Sequence, residues 1–167
     1  MANIFARLND GEGAKECLDL LIRFCTGVNL YTYHNDWRNM GVTLKYMHAG
    51  HAPYQVDANM GFVAAVYEML LYSDGDKIKL LPALPKELEK GSTEHIQARG
   101  GFDVSVEWSV ERVAVKIKSL LGNEVNVGLK GYTLNTSDTR LKDSRYGDSF
   151  KLLTLEKDDE IELIYTK

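Results

Sequence analysis

Residues 51–85, HAPYQVDANMGFVAAVYEMLLYSDGDKIKLLPALP, decide the fold. The stretch opens as a polar loop of His, Tyr, Gln, Asp and Asn. It continues as an almost uncharged helix from about residue 59 to 71, with Glu68 as its single charge. A Ser-Asp-Gly-Asp turn follows, and the stretch ends in a short apolar strand closed by Pro82 and Pro85. A helix apolar on all sides should be surrounded by other elements. Too few helices lie N-terminal to it to do so, which leaves the sandwich, a second subunit or further chain as candidate cover. Asp57 is read just ahead of the helix, where free backbone N–H groups and the macrodipole favour a carboxylate.

Outward from this stretch the chain changes character. On the N-terminal side, Ala14, Cys17, Leu18, Leu21, Ile22 and Cys25 recur at steps of three and four. Lys15, Glu16, Asp19 and Arg23 fill the other face, so this is an amphipathic helix. Ile4, Phe5 and Leu8 end an earlier helix, which has no room for an N-cap and looks cut. After Lys77 the period becomes two. Phe102, Val104, Val106 and Trp108 alternate with polar residues, as do Val113, Val115 and Ile117, then Val125, Val127 and Leu129. Residues 150–155 and 161–165 add two strands. The pattern predicts an α+β chain: a helical part, residues 1–76, then an antiparallel β-sandwich, residues 77–167.

The chain has 167 residues, 44% hydrophobic and 26% charged, which fits one ordinary domain or two small ones. Its formal net charge of −4 comes without a Lys/Arg block, so no nucleic-acid partner is expected. No apolar run approaches a membrane span, and the N-terminus has no signal-peptide pattern; the expected location leans cytoplasmic. Cys17 and Cys25 lie two helical turns apart, too far for a disulfide within one helix, and are expected as buried thiols.

Candidate chemistry gathers in two loops. In the second, Asp57 has Gln55 and Asn59 beside it. Asp57 reads either as a helix cap, a position Asp favours, or as a catalytic carboxylate. The first, YTYHNDWRNMG at residues 31–41, offers the flat faces of Tyr33 and Trp37 and the hydrogen-bonding groups of His34, Asn35, Asp36 and Arg38. That mixture suits a sugar, with its apolar face and polar rim. It equally suits an interhelical loop anchored by a buried Trp. His48 and His51 sit in a loop with Gly50 and Pro53, so no helix presents both rings, and no metal site is expected.

The ungapped combination of QVDANMG, EMLLYS, LLPALP and ARGGF resembles glycoside hydrolase family 95, the inverting α-L-fucosidases and relatives. That family carries HPPFQIDGNFG, a helix ending in EML, then LLPALP, and RARGGF before a β domain. Ala52, Ala58 and Met60 depart from its usual Pro, Gly and Phe. The resemblance implies that residues 1–76 are the last helices of an α/α barrel. It implies hydrolysis of terminal α-L-fucosides or related sugars with inversion and no cofactor. Asp57 would belong to the water-activating side, with His34, Asn35, Trp37, Arg38, His51, Gln55 and Asn59 as substrate contacts. A glycosidase of this kind needs a second group as general acid, and none is expected within these residues. The alternatives are a stand-alone carbohydrate-binding or scaffolding module, or a subunit completing a split barrel. Either the preceding part of the enzyme or a homo-oligomer would cover the 59–71 helix.

Overall fold

The computed structural model describes residues 1–27, 29–33 and 54–167. Three helices come first: α1 (Ala2–Arg7), α2 (Gly11–Cys25) and α3 (Val56–Leu70). Ten strands follow: β1 (Leu71–Asp74), β2 (Lys77–Leu80), β3 (Gly91–Ala98), β4 (Phe102–Trp108), β5 (Arg112–Ser119), β6 (Asn123–Gly128), β7 (Thr133–Leu134), β8 (Leu141–Asp143), β9 (Phe150–Leu155) and β10 (Glu160–Thr166). They form two five-stranded sheets, ordered β1-β2-β6-β9-β8 and β3-β4-β5-β10-β7.

The alternating runs form strands because one face of each enters a shared core. Along β4 the residues at 102, 104, 106 and 108 are buried, and Val113, Val115 and Ile117 oppose them from β5. From the facing sheet come Ile78, Leu80, Val125, Val127, Leu153 and Leu155. Among the described residues every strand pairing is antiparallel except one: β2 runs parallel to β6, with Ile78 opposite Val127. The intervening strands β3, β4 and β5 belong to the other sheet and supply the crossover that a parallel pair requires. The glycine pair between β3 and β4 sits at φ of +90° and +79°, a left-handed conformation that glycine adopts without a Cβ penalty.

α3 begins at Val56, three residues before the expected start, and Leu71 already belongs to β1. Asp57 therefore lies in the first turn of α3. Gln55 is the N-cap and makes no side-chain capping bond. β1 follows α3 directly and joins the same sheet as β2, so the expected boundary near residue 76 falls inside the β1–β2 hairpin.

A second, smaller core lies among the helices: Ala6, Ala14, Leu18, Ala65 and Met69, with Ala83 from the segment after β2. That segment joins the two halves. Leu81 N–H donates to Leu70 O (2.8 Å), Ala83 N–H to Met69 O (3.2 Å) and Lys86 N–H to the Glu12 carboxylate (2.7 Å). At Gly11 an added Cβ would lie 2.6 Å from Ala83 O, so only glycine permits this approach.

The sandwich does not surround α3. Ala65 and Met69 are buried, but Val56, Met60, Val63 and Tyr67 line an exposed stripe at steps of four, three and four. Glu68 finds its partner in Arg7, which donates to both carboxylate oxygens at 2.9 and 2.7 Å. Cys17 and Cys25 are half-buried where full burial was expected, because Ala14 and Leu18 occupy the buried face of α2. Among the described residues no helix is long and apolar enough to cross a membrane.

Candidate active site

The site is built where the chain leaves α2 and where it enters α3. Past Cys25 the backbone folds into a tight loop: Tyr33 N–H donates to Cys25 O (2.7 Å), Gly27 N–H to Tyr31 O (2.9 Å), and Thr26 bridges Thr32. Gly27 packs under the Tyr33 ring, where a Cβ would collide with it. Tyr33 in turn pairs with Tyr54 in an isolated antiparallel bridge, bringing residues 30–33 against the α3 entrance.

Thr32 holds this junction. It is 3% exposed, and every polar group it carries is engaged with the start of α3. Its hydroxyl lies 2.5 Å from Gln55 O and 2.9 Å from Asn59 Oδ1. Its N–H donates to Asn59 Oδ1 (3.0 Å), and its carbonyl accepts from Gln55 N–H (2.8 Å). Asn59 Nδ2 completes the clamp by donating to Leu30 O (2.8 Å). A buried polar group is costly unless paired, so this network pins the loop to the helix.

Asp57 sits within that fixed frame. It is exposed, lies in the first turn of α3, and has no hydrogen-bond partner among the described residues. Helix geometry leaves the first backbone N–H groups without intrahelical partners, and Asp57 stands among them. The N-cap position belongs to Gln55, and Asp57 is the acidic residue of the first turn. The Gln55 side chain is half-buried; its backbone, not its amide, meets Thr32. Of the sequence-predicted residues, the structure thus brings Gln55, Asp57 and Asn59 together on one helix entrance. His34, Asn35, Trp37, Arg38 and His51 lie outside the described residues.

Three tyrosines flank the junction. The rings of Tyr31 and Tyr54 meet edge to face at 5.3 Å between centroids, and those of Tyr33 and Tyr54 are tilted at 5.1 Å. Burial, and then the hydroxyl contact with Tyr54, push the Tyr33 phenol above its ordinary value. Tyr31, Thr32 and Tyr54 were not singled out from sequence. The strand-like Tyr-Thr-Tyr alternation at 31–33 is the signal that could have found them.

Two concavities elsewhere do not compete. One of about 960 Å³ on the outer face of β3, β4, β5 and β10 is lined by ordinary solvated residues such as Glu94, Lys116 and Glu162. Another, about 360 Å³ between α2, α3 and Trp108, is almost wholly apolar. Among the described residues no group of three or more His, Cys, Asp or Glu side chains could hold a metal ion. Two glutamates of the helical half are already engaged: Glu68 is clamped by Arg7, and Glu12 accepts from Lys86.

Comparison with known families agrees with this layout. Residues 1–70 match the model described as glycosyl hydrolase family 95 catalytic domain. Residues 72–162 match glycoside hydrolase family 95, C-terminal domain. The two matches meet where α3 passes into β1. The chain is 36% identical over 108 residues to alpha-L-fucosidase 2 of Arabidopsis thaliana, covering 64% of this chain and 12% of that protein. It is 33% identical over 85 residues to probable alpha-fucosidase A of Aspergillus niger, covering 44% of this chain and 11% of that protein. It therefore spans about an eighth of the length of these relatives. Helices that match the catalytic-domain model, followed without a linker by a sandwich that matches the C-terminal one, place this chain in glycoside hydrolase family 95.

Proposed function

We propose that this chain supplies the water-activating side of an inverting glycoside hydrolase for terminal α-L-fucosides or related sugars. The observation that carries the reading is Asp57: exposed, unpartnered among the described residues, and held on a frame that Thr32 and Asn59 make rigid. A preorganised carboxylate is what activation of water requires. The sugar preference rests on the relatives, whose names are those of fucosidases. His34, Asn35, Trp37, Arg38, His51 and the Gln55 amide contact the sugar in this proposal. Asn59 contacts the sugar through its amide in addition to its structural task.

Hydrolysis with inversion also needs a general acid on the other face of the glycosidic bond. Glu12 and Glu68 are committed to structural contacts, so the acid comes from other catalytic-domain sequence. The chain alone does not turn over. The stripe of Val56, Met60, Val63 and Tyr67 supports the same conclusion, because an apolar helix face of this length is normally covered. Preceding helices of a longer α/α barrel are the proposed cover.

Hydrolysis of an aryl α-L-fucoside tests the proposal. The chain alone should release no phenol, and the chain fused behind the preceding domain of the Arabidopsis relative should release it steadily. Turnover by the chain alone that vanishes in Asp57→Asn would overturn the division of labour.

A further inference from the structure

Tyr31 and Tyr54 are the most conspicuous unexplained side chains near Asp57. Their exposures are 48% and 59%, although both are large rings in contact with each other. Aromatic rings usually bury their area, and nothing among the described residues covers these two. Both residues nonetheless flank a hydrogen-bonded junction. Tyr31 precedes the buried Thr32, Tyr54 precedes the N-cap Gln55, and Thr32 ties the two segments together. Tyr33 supports Tyr54 from the third side.

We infer that Tyr31 and Tyr54 form a stacking platform for a pyranose ring of the carbohydrate substrate. This rests on the reading of Asp57 given above and extends it to specificity. A pyranose presents a patch of C–H groups that an aromatic face accepts, with hydroxyls around the rim for polar partners. Tyrosine suits the task because it offers a large face with few torsions to immobilise and a hydroxyl at its edge. Tyr54 stands three residues ahead of Asp57 in sequence, and Tyr31 flanks the same clamped junction. A ring held there keeps a constant position relative to the carboxylate. A small-ligand site gains affinity from preorganisation, and the contacts of Thr32 with Gln55 and Asn59 supply it beside both rings.

The test titrates the chain with methyl α-L-fucoside and with an α-L-fucosyl-(1→2)-galactose disaccharide, followed by NMR. Ring currents should move sugar C–H signals upfield, and the Tyr31 and Tyr54 ring protons should shift along the same saturable curve. Tyr54→Leu and Tyr31→Leu should each weaken binding about tenfold, the upper range for one aromatic contact. Tyr54→Phe and Tyr31→Phe should bind nearly as the parent does. Sugar binding that leaves both tyrosines' signals unmoved overturns the platform while leaving Asp57's role intact. Absence of sugar binding overturns the platform, and Asp57 is then judged by the fused enzyme alone. Ring shifts in the parent chain support the platform even where a leucine variant fails to fold. A normal kcat for Asp57→Asn in the fused enzyme would remove the catalytic reading and leave the platform standing.

Discussion

Asn59 Oδ1 accepts from both the N–H and the hydroxyl of Thr32, at 3.0 and 2.9 Å, across 27 residues of sequence. This pair joins the loop after α2 to the first turns of α3 and so fixes the surroundings of Asp57. Asn59→Ala would leave the buried Thr32 groups without that acceptor, at a cost of about 1–3 kcal/mol. Amide exchange at Thr32 should accelerate strongly while exchange in β4 and β5 stays unchanged. Unaltered protection at Thr32 would show that the clamp does not hold the junction.

The sandwich should be independent of the helices. Its core is continuous across both sheets, whereas among the described residues the helical core comprises six buried residues, one of them, Ala83, from outside the helices. Residues 71–167 alone should unfold in one cooperative thermal transition, and residues 1–70 should show none. In the sandwich, Leu153→Ala removes a side chain with no exposure and should cost about 2–5 kcal/mol. A cooperative transition for residues 1–70 would contradict this account.

Much of this division is legible in the sequence. The alternation in β4 and β5 works because those strands lie in the middle of a sheet with one face buried. β3 escaped notice for a physical reason: a bulge interrupts its pairing between Thr93 and Ile96, and His95 takes a φ of +57°. The parallel β2–β6 pairing is long-range and leaves no local signature. At the other end, Gln55-Val56-Asp57 looks like loop because its cap uses no side-chain bond. The polar cluster around Asp57 was visible, but the Thr32 clamp that organises it joins distant residues and was not.

The exposed stripe on α3 gives a prediction that separates the chain from the complete enzyme. Met60→Lys and Val63→Lys should leave the Tm of the isolated chain within about 1–2 °C, since exposed substitutions rarely change stability much. In the fused enzyme the same changes should sharply reduce the soluble, active fraction. Fully active fused variants would mean that this face stays open.

Asp138 gives a pH signature in the sandwich. Hydrogen bonds from the Arg140 guanidinium and its backbone hold the Asp138 carboxyl down at about 2. A depressed folded-state value stabilises the fold above the ordinary carboxylate range, and that contribution is lost as pH falls from about 4 towards 2. Asp138→Asn should therefore lower the Tm at pH 6, and the gap from the parent should narrow steadily below pH 4. A gap independent of pH would remove the ion pair from the account.

The central claim is that Asp57 activates water. In the fused enzyme, Asp57→Asn keeps the shape of the side chain and removes its charge. The account predicts a fall in kcat of about 10²–10⁴ with KM nearly unchanged, the signature of a group acting in the transition state. An Asp57→Asn enzyme with normal kcat would contradict it.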